Sequence, residues 1–327
     1  MREKSDRAGR YSRRAFLGGL AGLTGLLAAC SRNSSKSGNS GTQSTGGGIS
    51  QPTKTEAATV AGTRYANEAM LSDAAVLRGA TSGVKIVALT PQADFAKGHI
   101  EGAAQIDWPD LELSDSSSDA AIQSWQMQVQ QKLGGLGLSS SDKIVAYDGG
   151  TLFATRLWWV LAYLGQQNQQ VINGGLGAWQ NDGGQVSTNS TNPSVATYSG
   201  TATSSVLAAL PEVKNSLNQS GVLFLDARSP EEYAAGHLPG AVNLQYTQNA
   251  IAGTPPFFKP QNDLIKLYEQ IGASTDKLII PYCSTGVRSA VTYFTLRLIG
   301  YDRVKLFSGS WNEWTSHPDL PVEKGSA

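Results

Sequence analysis

Cysteine is nearly absent from this chain, with two residues among 327. Two thiols cannot build a disulfide framework or a four-cysteine zinc site. Histidine occurs three times, too few for a histidine-rich metal centre. Neither sign of charge dominates: 26 Lys and Arg stand against 26 Asp and Glu. That balance excludes the basic footprint of a dedicated nucleic-acid binder. Charged residues make up 16% of the chain and hydrophobic residues 40%. The composition excludes a disordered or coiled-coil polypeptide and supplies apolar surface for about two domains.

What is present begins with an address. Residues 1–29 read as a signal peptide. Six basic and two acidic side chains precede the uncharged run Ala15 to Ala29, which falls short of the ~20 residues of a membrane span. The junction Ser12 to Leu17 resembles a twin-arginine export signal, and Leu27-Ala28-Ala29-Cys30 resembles a bacterial lipobox. By that resemblance Cys30 is lipidated and opens the mature chain. The protein is then exported and anchored on the outer face of the cytoplasmic membrane or on the outer membrane. Losing residues 1–29 leaves 20 basic and 24 acidic side chains, a net charge of −4. Residues 30–59, rich in Ser, Gly and Thr, read as a flexible tether. Cys283 is then the one free thiol.

The body reads as a duplication. Gly98-His99-Ile100-Glu101-Gly102-Ala103 is matched by Gly236-His237-Leu238-Pro239-Gly240-Ala241, and Asp142-Lys143-Ile144-Val145 by Asp276-Lys277-Leu278-Ile279. The separation from Asp148 to Trp179 equals that from Cys283 to Trp314, 31 positions in each copy. A repeat this long that occurs twice implies two copies of one domain. They are expected over residues 60–190 and 205–327, with a linker over 191–204.

Each copy alternates short apolar runs with helix-period segments. In the second copy, Val222 to Leu225, Ala241 to Leu244, Lys277 to Tyr282 and Val304 to Phe307 read as strands. Ser229 caps a helix with Pro230 in its first turn and Gly236 after it. Further helices are expected over Leu264 to Ile271 and Ser289 to Ile299. The alternation predicts an α/β fold, two doubly wound parallel sheets with a site beyond the carboxyl ends of the strands.

The chemistry-bearing segment is Tyr282-Cys283-Ser284-Thr285-Gly286-Val287-Arg288-Ser289. It leaves a buried strand and enters a helix. Gly286 permits a tight turn with inward-pointing amides, the helix start favours an anion, and Arg288 adds a fixed positive charge. Each of these favours thiolate over thiol, the nucleophilic form. The reading of Cys283 as a nucleophile requires its sulfur to be ionised and reachable at the bottom of that ring of amides. A buried, inert cysteine is the competing reading.

This loop resembles that of the rhodanese (thiosulfate sulfurtransferase) family, as do Asp226-Ala227-Arg228, Glu232-Tyr233 and Gly309-Ser310-Trp311-Asn312-Glu313-Trp314. The first copy, with Tyr147-Asp148-Gly149-Gly150, Arg156-Leu157-Trp158-Trp159 and Asn173 to Trp179, resembles that family's non-catalytic N-terminal domain. The resemblance implies that Cys283 takes a sulfane sulfur from thiosulfate or a similar donor and passes it from a persulfide to a thiol or cyanide. It assigns Ser284, Thr285, Gly286, Val287, Arg288 and Ser289 to donor binding. It implies no metal and no organic cofactor.

Supporting roles fall to Asp226, Arg228 and His237. Asp226 and Arg228 either line the pocket or form an ion pair that brackets the loop. His237, like His99, is expected to make a structural hydrogen bond. Trp311 and Trp314 read as core and rim aromatics, and Asp148 stands where the second copy has its cysteine. Two positions depart from the animal liver-type members, which carry cations where this chain has Thr285 and Glu232. Mercaptopyruvate-using relatives carry a small hydroxyl residue at the Thr285 position, so 3-mercaptopyruvate is the alternative donor. A persulfide carrier serving a protein partner is a second class of function. A phosphatase is a third, disfavoured because cysteine phosphatases of similar fold have one more residue between Cys and Arg.

Overall fold

The computed structural model describes residues 64–326. The signal, the lipidation site Cys30 and the tether lie outside the described residues. The first copy runs β1 (Leu71–Ser72), α1 (Ala74–Arg78), β2 (Val84–Leu89), α2 (Gln92–Phe95), β3 (His99–Ile100), β4 (Ala104–Ile106), α3 (Asp119–Gly135), β5 (Lys143–Tyr147), α4 (Ala154–Tyr163), β6 (Gln169–Ile172), α5 (Gly175–Asn181) and β7 (Val186–Ser187). The second runs α6 (Leu210–Ser216), β8 (Val222–Asp226), α7 (Pro230–Ala235), β9 (Val242–Asn243), α8 (Gln261–Gln270), β10 (Leu278–Tyr282), α9 (Val287–Leu298) and α10 (Ser310–Ser316).

The first sheet has the order β1-β6-β5-β2-β4 with every neighbouring pair parallel. In the second sheet β8 lies between β10 and β9, again parallel. Two single parallel bridges, Ile279 to Val304 and Leu207 to Leu306, continue it in the order of the first. Val304 to Phe307 therefore pairs at isolated positions rather than as the continuous strand its apolar run predicts. The short antiparallel pair β3–β7 has its counterpart in a bridge between His237 and Glu323.

Both sheets are buried on both faces, as a parallel sheet with crossover helices must be. Alternate residues of one strand enter different cores. Val87 and Leu89 of β2 join a cluster shared by the two copies, while Ile86 and Ala88 join a core private to the first. Leu223 and Leu225 of β8 face the shared cluster and Phe224 the second copy's own core. In the shared cluster the crossover helices α4 and α9 meet, with Trp158 edge-on to Phe294 at 5.2 Å between ring centroids. The two copies thus form one packed body around the helices that follow β5 and β10.

Local signals explain the element ends nearest the site. Ser229 accepts from the Glu232 N–H and Glu232 accepts from the Ser229 N–H, a reciprocal cap with Pro230 in the first turn of α7. Helix α9 begins at Val287, two residues before its expected start. Gly286, at φ +84°, caps it in the left-handed region, where a side chain is costly. Among the described residues, no helix is long and apolar enough to cross a membrane.

Candidate active site

Strand β10 delivers Cys283 to the carboxyl edge of its sheet, and the chain turns at once into α9. The loop is pinned from the other side by the start of α10. The Cys283 N–H donates to Ser310 Oγ at 3.1 Å, and that hydroxyl donates to the Phe307 carbonyl at 2.7 Å. The amides of Trp311 and Asn312 donate to the carbonyls of Cys283 and Ser284. Ser310 holds this position at φ +58°, a conformation rare outside glycine. The turn is therefore fixed before any ligand arrives.

Within the loop, the Gly286 N–H donates to Cys283 Sγ at 3.2 Å. A Cβ on Gly286 would lie 2.5 Å from the Ser308 carbonyl oxygen. The backbone can approach the sulfur here because the side chain is missing. Ser284, Thr285 and Arg288 are partly exposed; Val287 and Ser289 are buried. The Ser289 hydroxyl has no hydrogen-bond partner. These last two can offer a donor their amides, whereas their side chains turn into the protein.

Cys283 itself is 1% exposed. The expectation of a sulfur open to solvent is not met in this conformation. The Arg288 guanidinium is near enough to the sulfur for the Cys283 charge to raise it, after the larger effects of Glu232 and burial. It donates to both oxygens of Glu232, at 2.6 and 2.9 Å, and to Ser284 Oγ at 2.7 Å. Hydrogen bonds from Arg288 pull the Glu232 carboxyl down to about 2, and that carboxylate in turn raises Arg288. The cation that the sequence assigns to donor binding is therefore held by a carboxylate of the same chain.

Asp226 and Arg228 resolve to the ion-pair role. Arg228 Nε lies 2.9 and 3.0 Å from the two carboxylate oxygens, and its Nη2 reaches Oδ2 at 2.5 Å and the Gly236 carbonyl at 2.6 Å. Both residues are buried, with the guanidinium 4.5 Å from the Trp311 ring centroid. Burial alone would lower Arg228, but the Asp226 hydrogen bond and charge outweigh it and leave the group raised. His237 stacks on Tyr233 at 3.7 Å and pairs its Nδ1 with the Tyr233 carbonyl at 2.9 Å. His99 repeats this with Phe95 at 3.8 Å and 3.0 Å. Both histidines make structural contacts.

The first copy shows what such a loop does with an anion. At the position equivalent to Cys283, Asp148 Oδ1 accepts from the amides of Gly150 and Thr151 at 2.7 Å each and of Leu152 at 3.2 Å. Its Oδ2 accepts from Ala154 at 2.8 Å. A carboxylate fills that cradle from within, so the first loop has no vacancy for a ligand.

Three residues near the site carry no assignment from the sequence. Glu313 of α10 accepts from both the N–H and the hydroxyl of Ser116 in the first copy. Tyr246 faces Phe153 across the copies at 5.8 Å. Arg156 of α4 is fully buried beside the Cys283 loop, and a Cβ on Gly286 would lie 3.2 Å from its Nη1. The run Arg156-Leu157-Trp158-Trp159 was visible in the sequence. An arginine inside an otherwise apolar helix was the available signal.

Comparison with known proteins agrees with this arrangement. The rhodanese-like domain family matches residues 71–182 and again 209–317. The thiosulfate sulfurtransferase of Azotobacter vinelandii is 33% identical over 247 residues, covering 73% of this chain and 90% of that protein. The enzyme of the same name from Pseudomonas aeruginosa is 32% identical over 249 residues, with the same shares covered. Among solved structures, the anaerobic ergothioneine biosynthesis enzyme of Chlorobium limicola in complex with trimethyl histidine superposes with a TM-score of 0.72. It is 20% identical and covers 80% of this chain and 71% of that one. At that identity the likeness shows the fold alone.

Proposed function

The chain belongs to the rhodanese family, with two such domains in one polypeptide, and from that premise we propose that it is a sulfurtransferase working through a persulfide on Cys283. The observation that carries this is the contrast between the two loops. The first cradle is filled by the Asp148 carboxylate, whereas the second holds a sulfur against the Gly286 amide with the Arg288 charge nearby.

The Cys283 thiolate attacks the outer sulfur of thiosulfate. A new S–S bond forms to Cys283 as the bond to the sulfonate sulfur breaks, and sulfite leaves with that electron pair. The resulting persulfide carries a negative outer sulfur, which preorganised loop amides stabilise without rearranging. A thiol or cyanide then attacks that sulfur and restores the Cys283 thiolate, a two-step exchange with ping-pong kinetics. The relatives named for thiosulfate support that donor. The hydroxyl of Thr285 and the pairing of Arg288 with Glu232 favour a second reading with 3-mercaptopyruvate as donor.

The test compares the purified mature chain with Cys283→Ala. Thiocyanate forms from thiosulfate and cyanide with the former, and Cys283 gains the mass of one sulfur atom after donor alone. Equal rates in the two proteins remove Cys283 from the reaction. A gain of sulfur without turnover identifies a carrier that needs a protein acceptor. The lipid anchor at Cys30 and export through the twin-arginine signal remain part of the proposal. Lipid labelling of the expressed chain, lost in Cys30→Ala, tests them.

A further inference from the structure

Three guanidinium groups surround the Cys283 loop, and two are spoken for. Arg228 is paired with Asp226, and Arg288 with Glu232. The third, Arg156, comes from the other domain and, among the described residues, has no carboxylate within salt-bridge distance. It is 0% exposed. Its Nη2 donates to the Leu111 carbonyl at 2.6 Å, and its carbon sits 4.7 Å from the Trp159 ring centroid. Its Nε and Nη1 have no partner. Nη1 is directed at the turn whose amide touches the Cys283 sulfur, close enough that a methyl group on Gly286 would meet it at 3.2 Å.

A buried cation left with two unpartnered nitrogens, which carry three N–H groups, is costly, by several kcal/mol in general. It persists where an anion offsets that cost. Two acidic groups act on Arg156, the Cys283 sulfur first and the Glu112 carboxylate after it, and the sulfur is the one that bears the charge in both the thiolate and the persulfide. We propose that Arg156, supplied by the domain without a cysteine, is a positioning residue that stabilises negative charge on the Cys283 sulfur through its free N–H groups and its net charge. The first domain then contributes an electrostatic element and not only a wall. Burial lowers Arg156 to about 10, and the neighbouring Cys283 charge opposes that fall. The inference deepens the sulfurtransferase reading and rests on it, since a charged sulfur is what Arg156 serves.

The experiment reads the thiol without any sulfur donor. The alkylation rate of Cys283 by iodoacetamide is measured against pH in the wild-type chain, Arg156→Lys and Arg156→Gln. In Arg156→Gln the midpoint moves up by one pH unit or more, about a tenfold slower reaction on the acid limb, with the same limiting rate at high pH. Arg156→Lys, which keeps the charge, recovers most of that loss. A midpoint in Arg156→Gln equal to the wild type overturns the proposal.

Should Arg156→Gln fail to fold, the wild-type chain decides. The Arg156 Nε–H resonance shifts with the titration of Cys283 and loses that shift in Cys283→Ser. A resonance indifferent to the thiol overturns the proposal equally. Failure of the donor assay beside a positive alkylation result would count against the sulfurtransferase reading and leave the role of Arg156 standing.

Discussion

Arg288 and Glu232 form a two-pronged ion pair, with Nη1 to Oε2 at 2.6 Å and Nη2 to Oε1 at 2.9 Å. Fork-to-fork geometry of this kind is the strong form of the interaction. Glu232 does double duty, because it also accepts from the Ser229 amide at 3.1 Å to cap α7. An anionic donor approaching Cys283 meets a cation already matched by a carboxylate. Glu232→Gln keeps an acceptor for the cap and frees the charge of Arg288. The expected result is a KM for thiosulfate lowered several-fold, more so at low ionic strength, with kcat changed less. An unchanged or higher KM would show that Arg288 is not the group the donor meets.

The pH behaviour of that pair follows from its direction. Arg288 holds the Glu232 carboxyl at about 2, below the ordinary 4.5. A depressed carboxyl contributes stability that is present above 4.5 and lost as pH falls towards 2. The effect of Glu232→Gln on KM is therefore expected to be constant from pH 5 to 8 and to shrink only in stronger acid. A change in the ratio of the two KM values near neutrality would point to another titrating group.

Glu313 behaves in the opposite sense. Burial raises its carboxyl above 4.5, although hydrogen bonds from Ser116 pull it down. A raised carboxyl favours the protonated fold, so its contribution is lost as pH rises from 4.5 through the raised value. Glu313 joins the two domains through Ser116, so the loss is felt where they meet. Glu313→Gln is expected to gain stability relative to the wild type between pH 4.5 and 8, measured by urea unfolding. A difference that stays flat across that range would mean Glu313 does not titrate there.

Much of this fold could be read from the chain because its local signals agree with its long-range ones. Ser229, Pro230 and Gly236 bound α7 in sequence and in space, and the apolar runs of β8 and β10 are buried on both faces. The duplication was legible through His99 and His237, whose stacked rings repeat the same contact. Arg156 and Glu313 were not legible as site residues. Each acts across the domain boundary, on the Gly286 turn and on Ser116, and one-dimensional spacing carries no record of which helix meets which loop. The burial of Cys283 was also beyond the sequence, since it depends on how the loop packs against the rest of the body. The segment 304–307 pairs only at Val304 and Leu306, because apolar side chains such as Val304, Leu306 and Phe307 mark burial more surely than continuous pairing.

The Asp226–Arg228 pair supports a stability prediction separate from chemistry. Both side chains are buried, and Arg228 reaches the Gly236 carbonyl and the rings of Tyr282 and Trp311. Removing one partner of a buried pair leaves an uncompensated charge, at about 3–5 kcal/mol. Asp226→Asn is expected to lower Tm by roughly 10 °C for a body of this size. Activity per folded molecule at low temperature should change far less. An unaltered Tm would mean that the Trp311 ring and the Gly236 carbonyl suffice for Arg228.

Gly286 is where backbone geometry and chemistry coincide, and Gly286→Ala tests both at once. The residue sits at φ +84°, where any Cβ costs about 1–2 kcal/mol. The added methyl would also lie 2.5 Å from the Ser308 carbonyl oxygen and 3.2 Å from Arg156 Nη1. Neither neighbour can yield freely: Ser308 precedes the turn that holds Cys283 through Ser310, and Arg156 is packed on Trp159. The loop must move instead, carrying its N–H away from the sulfur it reaches at 3.2 Å. Loss of one such preorganised donor costs about 100-fold in rate. Turnover in Gly286→Ala should therefore fall by about that factor, beyond what its lower Tm explains, with Cys283 still present and countable by thiol titration. A variant that is destabilised yet retains full turnover would show that the Gly286 amide shapes the fold without serving the reaction.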